Sequence, residues 1–219
     1  MLELQATNAA LDAIARRHGF DGFHLVGQSG GATLVGGVLG MRRDIGCAVI
    51  GAGRVYNPHS QWPKGPTGQT IDLFNPADGV SFIANQRNTR VMVITDPADQ
   101  RVSEKNQTPF VQMLRLAGGK VDHFLVQATD EKRHGVTPYS LAVATACIRG
   151  DASQDIAQNL AKFVEKRVAA KAEQTKAEQA KTEQAKSEQT KPEPAKVEPT
   201  KAAPANMQTQ LRPQQPPFR

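Results

Sequence analysis

Phe23-His24-Leu25-Val26-Gly27-Gln28-Ser29-Gly30-Gly31-Ala32 decides the fold. Four apolar or aromatic positions read as a short strand. Gly-x-Ser-x-Gly follows at once, and Ala32, Val35, Val38 and Leu39 then recur at helical spacing to about Met41. A strand, a tight turn and a helix around one serine is the context of a nucleophile elbow. The turn is sharp, so Gly27 and Gly31 are expected to be small because a Cβ would clash there. Ser29 would stand at the carboxyl end of the strand, and the Gly30 amide could face a developing oxyanion. Gln28 would line a pocket at most. A plain turn serine is the duller reading, and a phosphate loop fits worse because no Gly-Lys-Ser/Thr ending follows.

Outward from this stretch, strands and helices alternate. The spacing predicts a helix over residues 3–18 and strands over 45–50, 90–95 and 121–128. Helices are predicted over 109–117 and 138–148, and from Ser153 onward. Residues 54–88, rich in Pro and Gly, read as irregular. Such alternation means an α/β fold, a mostly parallel sheet of about four strands flanked by helices. In such sheets chemistry gathers in the loops beyond the carboxyl ends of the strands. Gly51-Ala52-Gly53 hints at a dinucleotide loop, but Tyr56 stands at the third glycine position and Pro58 follows.

A serine hydroxyl needs a base, and the base an orienting acid. The strand 90–95 runs into Asp96-Pro97-Ala98-Asp99-Gln100-Arg101-Val102, and the next strand is followed by Arg133-His134-Gly135. Ser29, Asp99 and His134 thus come in order from the ends of three strands. The bland alternatives are an Asx turn or helix cap for Asp99 and a surface loop for His134. His123 alternates with Val121 and Leu125 within a strand and reads as structural. No His, Cys, Asp and Glu cluster has metal-ligand spacing, and no cofactor is expected.

In these motifs the chain resembles the α/β-hydrolase superfamily, from the nucleophile elbow onward, over about residues 5–168. The family often carries its acid in a Gly-x-x-Asp-x-x-Val pattern, which selects Asp99, with Asp96 as the alternative acid. The resemblance implies His134 as general base and the Gly30 amide as one oxyanion donor. In complete members about four more strands precede the elbow, whereas about 22 residues precede it here. A domain truncated at its N-terminus is therefore expected, with one edge of the elbow strand open. That strand's apolar run suits burial on both faces. Trp62, Phe74 and Phe82, in the segment where the superfamily commonly carries a lid or pocket wall, are candidates for an apolar pocket or a satellite core. The implied activity is hydrolysis of a small-molecule ester or related acyl bond. The rival is a catalytically impaired remnant that binds or tethers.

Composition divides the chain near Val168. All 18 Gly and 10 of the 11 aromatics lie before residue 169. The expected domains are residues 1–168, hydrolase-like, and 169–219, a Lys/Glu/Gln/Ala/Pro-rich repeat tail. From Lys171 a Lys recurs every five residues through Lys201. Five residues advance about 500° around a helix, so the repeat leaves no apolar stripe. Helix is expected to about Lys191, where Pro192 and Pro194 end it. The tail reads as a solvated spacer, with weak contacts to a protein or an anionic surface as the alternative.

The net charge of +6 divides equally between the two parts, so neither concentrates positive charge, and nucleic acid is a poor partner. Cys47 and Cys147 read as two buried thiols, with a disulfide as the alternative. No apolar run reaches membrane-spanning length, and the first residues lack a signal pattern. The expected location is cytoplasmic, or secreted or periplasmic if the true N-terminus lies upstream.

Overall fold

The computed structural model of the chain describes residues 2–58, 66–67 and 74–189, with side chains to 183. His59 and Trp62 fall outside them. The elements run α1 (Leu2–His18), β1 (Phe23–Gln28), α2 (Gly30–Leu39), β2 (Ile45–Gly51), α3 (Val80–Ala84), β3 (Arg90–Thr95), α4 (Thr108–Leu116), β4 (Val121–Leu125), α5 (Thr137–Ile148) and α6 (Ser153–Gln189). The alternation read from the sequence is therefore real, and the fold is α/β.

The four strands lie in chain order, β1-β2-β3-β4, and every pair is parallel. Parallel neighbours require a crossover, and crossovers of one hand return on one side of the sheet. The crossover helices α2, α3 and α4 accordingly share one core, in which Val35, Leu39, Ile83, Phe110 and Leu114 meet Ile50, Val91 and Val93. Helices α5 and α6 close the opposite face, where Tyr139, Val143, Ile156 and Leu160 meet Val49, Met92 and Ile94. Strands β2 and β3 are thus covered on both sides, which is why they read as unbroken apolar runs.

Three expectations fail. Strand β1 has the open edge expected of it, being paired on one side alone among the described residues, but its faces are only half-buried, with Val26 39% exposed. The segment 54–88 is not wholly irregular. Asn75 accepts a hydrogen bond from the Ala77 amide, Pro76 opens a 3₁₀ turn, and α3 follows, burying Val80 and Ile83. Cys47 and Cys147 are not separate thiols. They form a disulfide between β2 and α5, with Cα atoms 6.2 Å apart, because α5 lies on the face to which Cys47 points.

The chain divides into two units, Met1–Ala177 and Glu178–Arg219. Helix α6 runs through Val168 without a break, and every position from 169 to 183 is exposed. This is the solvation expected of a five-residue repeat without an apolar stripe.

Candidate active site

Ser29 joins β1 to α2 in a conformation that L-residues rarely adopt, φ 55° and ψ −122°. Its amide donates to the Gly51 carbonyl at 2.9 Å, which pins the turn to the end of β2. Gly27 is sterically obligatory, since a Cβ there would lie 2.4 Å from the Gly31 carbonyl oxygen. Gly31 is not, contrary to expectation. A Cβ on Gly31 meets nothing within 4 Å, because the tight approach is of its own backbone to Gly27. Gly30 heads α2, where its amide has no intrahelical acceptor. The Gly51-Ala52-Gly53 loop leads into non-helical residues 54–58. It therefore lacks the helix N-terminus that a pyrophosphate needs.

The loops after β3 and β4 bring the second and third candidates together. An Asp99 carboxylate oxygen lies 2.7 Å from His134 Nδ1, with the Asp99 side chain wholly buried and that of His134 12% exposed. The other Asp99 oxygen accepts from the Arg101 and Val102 amides at 2.7 and 3.0 Å, so its loop fixes its aim. Asp96 does different work. It is fully buried, accepts from the Ala98 and Ala128 amides, and takes two bonds from the Arg133 guanidinium at 2.7 and 2.9 Å. It fastens the two loops together and does not touch His134.

Two further residues set the histidine loop. Asp130 accepts from the His134 and Gly135 amides at 3.1 and 2.6 Å. Its partial burial pushes its pKa up, but the amide bonds outweigh this and hold it below the ordinary 3.8. Gln28, expected only to line a pocket, donates to the His134 carbonyl at 2.9 Å and accepts from the Thr137 hydroxyl. The residue beside Ser29 thus grips the backbone of His134. The Ser29 hydroxyl itself makes no hydrogen bond among the described residues. His123 is structural, as read. Burial lowers its pKa, and its Nε2 lies 2.8 Å from the Thr95 hydroxyl.

Ser29 opens into a cleft of about 460 Å³, bordered by Gly30, Thr33, Arg54, Arg101 and Val102. Phe74 and Phe82 do not reach it. Phe74 packs on Gly37 beside a separate hollow, and Phe82 lies 4.9 Å beneath the Arg43 guanidinium. A mainly apolar cavity between α5 and α6 holds no nucleophile.

A parallel sheet in chain order with helices on both faces is the α/β-hydrolase fold in part, and Ser29, Asp99 and His134 lie beyond the carboxyl ends of β1, β3 and β4. No family model matches the chain, and no curated protein does. Among solved structures it is similar to an esterase of Pyrococcus furiosus, 15% identical with a TM-score of 0.49, over 67% of this chain and 62% of that one. It is also similar to a protein described as a dienelactone hydrolase from Klebsiella pneumoniae, 18% identical with a TM-score of 0.43, over 71% and 57%. A third is the acylaminoacyl peptidase of Pyrococcus horikoshii, 15% identical with a TM-score of 0.46, over 74% and 26%. The chain spans about three-fifths of the length of the first two. These are likenesses of chain path and carry no argument about activity.

Proposed function

We propose that the chain is a serine hydrolase of ester or related acyl bonds. The observation that carries this is the buried Asp99 carboxylate 2.7 Å from His134 Nδ1, with Arg101 and Val102 of the Asp99 loop sharing a cleft with the strained Ser29 and Gln28, next to Ser29, bonded to the His134 carbonyl. A carboxylate at Nδ1 takes that nitrogen's proton as a hydrogen bond and leaves the Nε2 lone pair free to act as base. Ser29 Oγ attacks the acyl carbon as His134 takes its proton, and the carbonyl electrons pass to an oxyanion held by the Gly30 amide. Collapse expels the alcohol, which receives that proton. Water, deprotonated by His134, then cleaves the acyl-enzyme to a carboxylic acid and restores Ser29. A fluorophosphonate probe should label the wild-type chain and leave Ser29→Ala unlabelled. Equal labelling of both would overturn the reading.

The unbonded Ser29 hydroxyl and the half-buried β1 favour one rival, an impaired hydrolase that binds or tethers through the same cleft. Under that reading the wild-type chain turns over no ester, and Ser29→Ala binds ligands as the wild type does. The Cys47–Cys147 disulfide favours an oxidising compartment over the cytoplasm for either reading.

A further inference from the structure

We infer that the Ser29 cleft selects acyl substrates that carry a negative charge, and that Arg54 and Arg101 are its recognition residues. The inference rests on the hydrolase reading for turnover, though not for binding.

The two arginines reach the cleft from different strand ends, Arg54 beyond β2 and Arg101 beyond β3. Their backbones are anchored beside the reacting groups. The Arg54 amide donates to the Thr33 hydroxyl at 3.2 Å, and the Arg101 amide to the Asp99 carboxylate at 2.7 Å. Their guanidinium groups have no ion pair or hydrogen bond among the described residues. Arg133 shows the contrast, being bound twice by Asp96. The two nearest acids of the Arg101 loop are already engaged, since Asp96 is fully buried against Arg133 and Asp99 against His134. Among the described residues the cleft wall therefore carries two unpaired positive charges within a volume suited to a small ligand. Guanidinium groups match planar oxyanions with two parallel N–H bonds, so a carboxylate on the substrate is the favoured chemistry. A neutral ester of the same shape would leave both cations unpaired in the cleft, and discrimination follows from that difference. These arginines are exposed, so the preference should weaken as salt rises.

The test uses the full chain and three acetate esters, 4-acetoxybenzoate, 4-acetoxybenzenesulfonate and the neutral methyl 4-acetoxybenzoate. Their acyl group is the same, and the para position keeps the anion from attacking its own ester. The wild type should favour 4-acetoxybenzoate over the methyl ester at least tenfold in kcat/KM, chiefly through KM. The ratio should fall about tenfold in Arg54→Gln and in Arg101→Gln, recover in part in the Lys variants, and decline at 0.5 M salt on the order of the screening expected for exposed charges. Arg115→Gln, on the outer side of α4, should keep the wild-type ratio. A planar carboxylate preferred over the tetrahedral sulfonate marks paired N–H recognition, and equal use of both marks charge alone; either supports an anion site. A ratio unmoved by both Gln variants, or a wild-type preference for the methyl ester, would overturn it. Calorimetric binding of 4-acetoxybenzoate to Ser29→Ala separates the two readings. Arginine-dependent binding without wild-type turnover sinks the hydrolase and keeps the anion site. Ser29-dependent turnover without anion preference does the reverse.

Discussion

Asp96 and Asp99 stand three residues apart in one loop and do opposite work. Asp96 is a wholly buried anion held by Arg133 and two amides, so neutralising it leaves a guanidinium facing an amide. Asp96→Asn should cost about 1.5–3 kcal/mol, as expected when charge-assisted bonds are lost beside a guanidinium that stays 30% exposed. Under the proposed hydrolase reading, Asp99→Asn keeps the shape but favours the wrong histidine tautomer, and kcat should fall roughly 10⁴-fold with little loss of stability. Urea unfolding and ester turnover of both variants check the split, and a stability loss confined to Asp99→Asn would contradict it. The resemblance pointed to Asp99 over Asp96 through the family's Gly-x-x-Asp-x-x-Val pattern, which is local to one loop. It gave Gln28 a pocket-lining place at most, because its bonds reach residues 106 and 109 positions away and leave no local pattern.

At the level of elements, the loop between β4 and α5 hangs on Asp130. Its pKa in the folded chain lies below the ordinary 3.8, so its bonds stabilise the loop fully above that value. The contribution is lost as pH falls through the folded value, because a protonated carboxyl accepts more weakly from the His134 and Gly135 amides. Wild type should therefore lose more stability than Asp130→Asn as pH falls below about 4, by less than about 1 kcal/mol because Asp130 is exposed and solvent screens its bonds. Parallel urea titrations at several pH values measure this, and superimposable acid limbs would refute it. Long periodic elements such as α5, and continuous apolar ones such as β3, were legible in advance. The five-residue α3 was not, since three apolar residues define no period, although Asn75-Pro76 was a start signal. The open edge of β1 was expected, whereas the half-burial of its faces was hidden. Its apolar run is the same whether one neighbour or two lie beside it, and only the sheet order decides.

Across the whole molecule, one covalent link joins the central sheet to the helix that follows His134. Two cysteines 100 residues apart gave no spacing to read, so only the packing of α5 on β2 could reveal the pair. Closing so long a loop restricts the unfolded chain, and its loss typically costs 2–5 kcal/mol. Cys147→Ser, or the wild type in reductant, should unfold at correspondingly lower urea, with a larger effect than any exposed substitution on α6. An unchanged midpoint would exclude the bond. The same link has a topological consequence. The ring from Cys47 to Cys147 encloses Asp99 and His134, whereas Ser29 sits on the arm outside it. One backbone cut anywhere inside the ring leaves a single covalent molecule that still carries all three residues. One cut between Ser29 and Cys47 severs Ser29 from Asp99 and His134, leaving only the noncovalent packing of α2 and β1 to hold them in register.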